Sequence, residues 1–206
     1  MSRSAPAVYR SAPPRWRTRL AGPAAGSARR RRHERLFRLT RLQPDMRILD
    51  VGCGVLGLRA LEPDLDITGV DVRPAPDYPG PFVVADATAL PFEDGSFDLV
   101  HASSVIEHVE PGRRAALARE VQRVGRGYLV QTPAYSFPIE PHALLPFVHW
   151  LPPRTRRVVW ERAAVGPWEE ISLLRRGEMT ALFGHPPLAE RMGPLVKSWT
   201  AIRPVR

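Results

Sequence analysis

The chain has one cysteine, Cys53, and one lysine, Lys197, and it contains no internal repeat. A single thiol excludes an internal disulfide and any zinc site built from several cysteines, and no metal site is read from the sequence. No apolar run approaches the roughly 18 uninterrupted residues of a membrane-spanning helix. The opening MSRSAPAVYRSAPPRWRTRL lacks the apolar centre and small-residue cleavage site of a secretory signal, so a cytoplasmic protein is expected. What is abundant is arginine, which supplies nearly all of a formal charge of +9. Guanidinium pairs bidentately with phosphate, so the excess fits phosphate or anionic-lipid contact. It fits codon composition equally, because Ala, Pro, Gly and Arg are all heavily used.

The 206 residues, 44% of them apolar, suffice for one domain with a real core plus a tail. Residues 1–28, rich in Arg, Pro, Ala and Ser, bury too little surface to offset their ordering entropy and are expected to form a disordered arm. RRRRHERLFRLTRLQP then reads as a helix with one apolar edge, ending before Pro44, and residues 29–206 as a single domain. From Met46 the pattern becomes short apolar runs alternating with helical segments. MRILDV, DITGVDV, PFVVAD, FDLVHASS and GYLVQTP read as five strands. VLGLRALEP reads as a short helix and PGRRAALAREVQRVG as a longer one. Such alternation implies a mainly parallel sheet with helices on its faces. The connection RPAPDYPG is too short and too proline-rich for a crossover helix, which leaves that sheet edge less covered. Beyond strand five, residues 134–174 are aromatic and proline-punctuated and read as an insertion. RRGEMTALFG is then a helix, and PPLAERMG and VKSWTAIRP are final strands.

DVGCGVLG, at 50–57, has the glycine spacing of a dinucleotide turn, yet Asp50 precedes the first glycine. Three acids stand at three successive strand ends: Asp50, Asp71 and Asp86. Ligands of an open parallel sheet lie across those ends. The acids would repel a pyrophosphate and suit a ligand carrying an ammonium, hydroxyls and an amine, groups that belong to S-adenosylmethionine. On this reading Gly52 and Gly54 let the backbone approach the ligand, with Cys53 between them, and Gly57 serves helix packing. Asp50 faces the amino group. Asp71, with Val72 beside it, faces the ribose hydroxyls. Asp86 accepts from the adenine amine while the Ala87 amide faces a ring nitrogen. Cys53 lacks an activating neighbour and is not read as a nucleophile.

ILDVGCGVLG, GVDV, VVADATALPFEDGSFDLVHASSVIEHV and ERMGPLVKSWTAI together resemble the class I S-adenosylmethionine-dependent methyltransferases, in particular the small-molecule branch that includes quinone-biosynthesis enzymes. The resemblance covers roughly residues 44–206. It implies a Rossmann-like α/β fold, its seven-stranded sheet in the order 3-2-1-4-5-7-6 with the last strand antiparallel and helices on both faces. It also implies that Ser103 and Ser104 border the methionine moiety, and that the segment after strand five roofs the acceptor pocket.

Methyl transfer is an in-line displacement, so much of the work is positioning, with a general base where the acceptor carries an acidic proton. The candidates are Glu107, His108, His142 and His149. His142 is preferred because FPIEPHALLPFVHWLPP sets it and Glu140 between stiff prolines within an apolar surround. The alternative for Glu107 and His108 is a structural role beside the cofactor. For the insertion it is a lid that only packs on the sheet, with His149 and Trp150 in its core. Trp, Phe and the nearby Arg154, Arg156 and Arg157 also suit peripheral contact with a membrane surface.

The leading expectation is methyl transfer to an oxygen or carbon of a small, fairly apolar molecule. A nucleic-acid methyltransferase using the basic arm is the alternative. It is weakened because SSVIEH stands where an aromatic-proline motif would follow strand four. Its RNA affinity would fall steeply with salt. A non-catalytic sensor that keeps the fold is the third reading.

Overall fold

The computed structural model describes Glu34, residues 37–163, Trp168 and residues 170–205. The arm expected at 1–28 and the arginine run at 29–32 lie outside the described residues.

Seven strands form one sheet in the order β3-β2-β1-β4-β5-β9-β8. They are β1 (Arg47–Val51), β2 (Asp66–Asp71), β3 (Phe82–Val84), β4 (Phe97–Ser103), β5 (Gly125–Pro133), β8 (Leu188–Met192) and β9 (Leu195–Arg203). β6 (Ile139–Glu140) and β7 (Leu145–Pro146) form a separate antiparallel hairpin. With that hairpin left out of the count, the order is the 3-2-1-4-5-7-6 that the resemblance implies. β9 runs antiparallel to β5, and the other pairings among β1–β5 are parallel.

β1 and β4 are buried on both sides because the sheet is covered on both faces. Leu49, Val51, Val100 and Ala102 face a core shared with α1 (Arg114–Val124) and α3 (Arg176–Phe183). α1 presents Leu117, Ala118, Val121 and Val124, a 3.6-period stripe, to that core. The alternate residues, Ile48, Ile67 and Leu99, face a thinner layer made of Leu58, Phe37, Leu42 and Val205. Each of the fully buried aliphatic side chains contributes about 1.5–3 kcal/mol relative to exposure.

The short helix expected after β1 is only a 3₁₀ turn, Gly57–Ala60, because the chain must turn back tightly beneath Asp50. The connection from β2 to β3 is a bare loop, as its prolines require. The edge strand β3 is only partly covered, as expected, with Val84 exposed; Tyr78 of this loop is buried over Gly69 of β2, where a Cβ would lie 2.6 Å from the ring.

The chain leaves the sheet after β5 and returns at Leu174, which bridges to Ala134; Tyr135 N–H donates to Leu174 O at 3.0 Å. Between these points lie the β6–β7 hairpin, a 3₁₀ turn Val148–Trp150 and α2 (Pro153–Arg162). The segment has its own small core of Ala143, Trp160, Ile171 and Leu173.

Candidate donor cavity and adjoining polar cluster

The carboxyl ends of β1 to β4 open on a cavity of about 350 Å³. Parallel register brings them level: Val51 pairs with Val70 and Ala102, and Asp71 with Val84. The walls carry Gly52 from the turn after β1, Asp71 and Val72 from the end of β2, and Asp86 and Ala87 beyond β3. Ser104 follows β4, and Arg113 precedes α1. Val51, Val70, Val105 and Val109 supply the apolar area. Volume and lining fall within the range of small-molecule sites.

The glycine turn is built by close approach. Gly52 N–H donates to Val70 O at 2.8 Å with φ at +67°, and a Cβ there would come within 2.5 Å of Val105 Cγ2. Gly54 N–H donates to Asp71 Oδ2 at 3.0 Å, and Arg73 N–H to Asp71 Oδ1 at 3.1 Å. Asp71 thus ties the turn to β2 while lining the cavity. Asp86 Oδ1 accepts from Thr88 N–H and Oγ1, and Oδ2 accepts from Arg113 Nη2 at 2.9 Å. Burial is the largest single influence on Asp86 and acts upward. The Thr88 and Arg113 hydrogen bonds and the Arg113 charge outweigh it and hold the carboxyl below its ordinary range.

Of the residues expected to meet the donor, Gly52, Asp71, Val72, Asp86, Ala87 and Ser104 stand on this wall, and Asp50, Cys53, Gly54 and Ser103 do not. Strand alternation accounts for Asp50, whose side chain shares the face of Ile48 while Val51 faces the cavity side. Its Oδ2 accepts Leu58 N–H at 2.6 Å and its Oδ1 meets His101 Nδ1 at 2.7 Å. Gly57, read from sequence as a helix-packing glycine, is where that carboxylate lies: a Cβ would fall onto Asp50 Oδ2. Gly54 acts through its N–H on Asp71, and Ser103 Oγ donates to Gln131 Oε1 at 2.8 Å.

Cys53 is turned under β2, against Gly69. Burial, and then the charges of Asp50 and Asp71, push its thiol up to about 12. It stays protonated at neutral pH, where a thiolate would be the nucleophile. A thiol reagent at pH 8 is expected to modify the native protein at least ~100-fold more slowly than the urea-unfolded chain, given the gap from an ordinary thiol pKa. Equal rates would show that the turn opens freely.

The three residues put forward from sequence as catalytic, Glu107, His108 and His142, converge at one end of this cavity, with one possible ligand atom from each within 4.8 Å of the others. His108 is the member on the cavity wall. Glu107 lies in the 3₁₀ turn Ile106–His108, wholly buried, with Thr132 Oγ1 donating to Oε2 at 2.9 Å. Burial pushes its carboxyl up, against His142 and the hydrogen bonds of Thr132 and Ser104. The His108 and His142 rings meet edge to face at 4.9 Å. Burial first, then His142, lowers the His108 pKa to about 4, against the charge of Glu140. His142 rides on the β6–β7 turn. Glu140 clamps that turn: Oε1 meets His142 Nδ1 at 2.7 Å and Oε2 accepts Ala143 N–H at 2.5 Å.

The apolar surround expected around Glu140 divides. Phe137 and Val148 are buried, whereas Phe147 and Trp150 are half exposed and pack on each other at 5.2 Å. His149 is a core residue, its Nε2 on Tyr135 O at 3.0 Å, and it stands outside the polar cluster. Sequence reasoning missed Arg113, Glu110, Val105 and Val109 on the cavity wall. Val105 and Val109 lie within the SSVIEHV segment but carry no polar signal, and no periodicity or motif marks Glu110 and Arg113, which a chain reversal after β4 brings there.

Residues 49–129 match a family described as a methyltransferase domain. Over 99 residues, 42% of this chain, the sequence is 35% identical to 2-methyl-6-phytyl-1,4-hydroquinone methyltransferase of Synechocystis sp.; the match spans 30% of that relative's length. Among solved structures, the PH0226 protein of Pyrococcus horikoshii superposes with a TM-score of 0.59 at 18% identity, covering 93% of this chain and 91% of that one. A SAM-dependent methyltransferase of Methanosarcina mazei gives 0.52 at 19% identity, covering 78% and 92%. These two likenesses are likenesses of fold. Among the described residues, no helix is long and apolar enough to cross a membrane.

Proposed function

We propose that this chain, which belongs to the class I S-adenosylmethionine-dependent methyltransferases, transfers the donor's methyl group to an oxygen or carbon of a small, fairly apolar molecule. The observation that carries the proposal is the meeting of an acid-lined cavity with a convergent polar cluster, Glu107, His108 and His142, through His108 on the cavity wall.

The cavity fits the donor's charge and shape. Asp71, Asp86 and Glu110 outnumber the one cation on the wall, Arg113, so the field favours a ligand with an ammonium and a sulfonium. The missing Cβ of Gly52 lets Val105 pack directly on the turn, and both residues line the cavity. On this assignment Asp71 takes the ribose hydroxyls, the Asp86–Ala87 turn takes adenine, and Gly52 and Ser104 flank the methionine end. The donor supplies a methyl carbon on a cationic sulfur that leaves as a neutral thioether. What the chain contributes is alignment: His108, with His142 against it, would stand at the methionine end, Glu140 fixes the ring of His142, and Ser104, held at φ +59°, follows β4 on the cavity wall. The insertion brings His142 against His108 of the cavity wall and carries its own apolar core behind it, which suits an acceptor of low polarity. The partial match to a hydroquinone methyltransferase points to a phenolic ring bearing an apolar substituent. Phe147 and Trp150, exposed beside Arg154 and Arg157 at the start of α2, would let such a molecule be drawn from a membrane surface.

The test is incubation of the full chain with methyl-labelled donor and separate acceptors: alkyl hydroquinones, simple phenols, phospholipid vesicles and RNA. Label is expected in the hydroquinone or phenol product. Label in RNA alone would replace this reading with the nucleic-acid one. Donor that binds but never turns over with any acceptor would favour a sensor.

A further inference from the structure

We propose that Glu107, His108 and His142 bind a divalent transition-metal ion of the Zn²⁺ class. Two imidazoles and a carboxylate suit Zn²⁺ and its first-row neighbours, whereas Mg²⁺ and Ca²⁺ take oxygen ligands. One possible ligand atom from each residue lies within 4.8 Å of the others. Ligands about 2.0–2.2 Å from a tetrahedral ion stand roughly 3.3–3.5 Å apart, so small side-chain rotations close the set.

Three further features mark the site as prepared for a cation. First, Glu107 Oε1 is buried with no hydrogen-bond partner among the described residues, and His142 Nε2 lies 3.9 Å from it. The two atoms face each other slightly wider apart than the pair spacing around a tetrahedral ion, near enough for an ion to draw both in. Second, Glu140 holds His142 Nδ1 at 2.7 Å and is itself held by Ala143 N–H. A carboxylate on the far nitrogen fixes the tautomer and turns the Nε2 lone pair inward, as behind metal-bound histidines. Third, Glu107 and Glu140 are both buried carboxylates, 1% and 2% exposed. Arg114, whose pKa shift includes the charge of Glu107, directs its N–H groups elsewhere, to Val109 O, Ser172 O and Glu178 Oε1. A divalent ion balances both acids.

Three protein ligands leave one position open. His108 stands on the cavity wall, so that position faces the donor cavity. That an acceptor oxygen fills it rests on the function proposed above; the binding of the ion does not.

The experiment is titration of the chelator-stripped full chain with Co²⁺, read by its visible d–d absorption, with donor affinity measured on the same samples by calorimetry. One equivalent is expected to bind and to be displaced by Zn²⁺. Glu107→Gln and His142→Ala should each weaken binding by on the order of 100-fold or more, and Glu140→Gln, behind the ligand, by roughly 10–100-fold. His185→Ala should leave it unchanged, and donor affinity should persist in all four variants. Protein that binds donor yet gives no Co²⁺ spectrum would overturn the site, as would binding indifferent to Glu107→Gln and His142→Ala. Metal bound without donor would keep the site and remove the donor assignment instead.

Discussion

Asp71→Ala is expected to weaken S-adenosylmethionine binding by roughly 100- to 1000-fold, measured calorimetrically on folded protein. The carboxylate lines the cavity at the end of β2, beside Gly52 of the turn after β1. It is the acid placed to accept from two neighbouring hydroxyls. Hydrogen bonds to a charged group are worth about 1.5–3 kcal/mol each, so losing two removes about 3–4 kcal/mol once water replaces part of them. Asp71 also accepts Gly54 N–H at 3.0 Å and Arg73 N–H at 3.1 Å, so the substitution loosens the turn itself. Asp71→Asn separates the two contributions. It keeps one acceptor for the turn and puts a donor where the second hydroxyl bond would form, and its loss should be nearer 10-fold. Unchanged donor affinity in Asp71→Ala would remove this acid from the site and with it the cavity's assignment.

The strands and helices of the fold were legible from local signals, whereas their order in the sheet came from the family resemblance. Strand-length apolar runs alternate with helical stripes, and glycine or proline marks the turns. The strand-end acids were legible as positions, since parallel strands bring their carboxyl ends level. What each acid faces was not. Asp50 and Asp71 read alike in sequence, yet Asp50 is taken up by His101 and by Leu58 N–H of the following turn, while Asp71, the last residue of β2, reaches the cavity. The polar cluster was legible as a set of residue types and illegible as a cluster. Glu107 and His142 meet only because a two-stranded hairpin, with Leu144 and Phe147 at positive φ, folds back on the end of β4. Neither residue type announces that conformation, and such backbone is held by its surroundings rather than by local preference. Arg113 shows the same limit: it reads as one arginine among many until the chain sets it on Asp86 and Thr88.

Gly57→Ala should be the most destabilising single-methyl change in the glycine turn, and the comparison with Gly54→Ala isolates why. Both glycines have positive φ, +51° and +55°. An L-residue in that region costs about 1–2 kcal/mol at either position. At Gly54 a Cβ meets nothing within 4 Å, so the cost stops there. At Gly57 the Cβ would overlap Asp50 Oδ2 and lie 2.7 Å from Cys53 Cβ. The carboxylate cannot retreat, because it is 2% exposed and fixed by Leu58 N–H and His101. Displacing it sacrifices at least one charge-assisted hydrogen bond, a further 1.5–3 kcal/mol or so. The sum, about 3–5 kcal/mol, is a large share of a total near 5–15 kcal/mol. At about 2–4 °C per kcal/mol for a chain this long, Gly57→Ala should lower Tm by roughly 6–20 °C and Gly54→Ala by roughly 2–8 °C. Asp50→Ala in the Gly57→Ala background should recover part of the loss, since the clash leaves with the carboxylate, and the coupling should exceed about 1 kcal/mol. Equal melting of the two glycine variants, or strict additivity with Asp50→Ala, would mean that the third glycine answers to the turn's conformation alone. The coupled result would make it the residue that lets a buried acid close the end of β1.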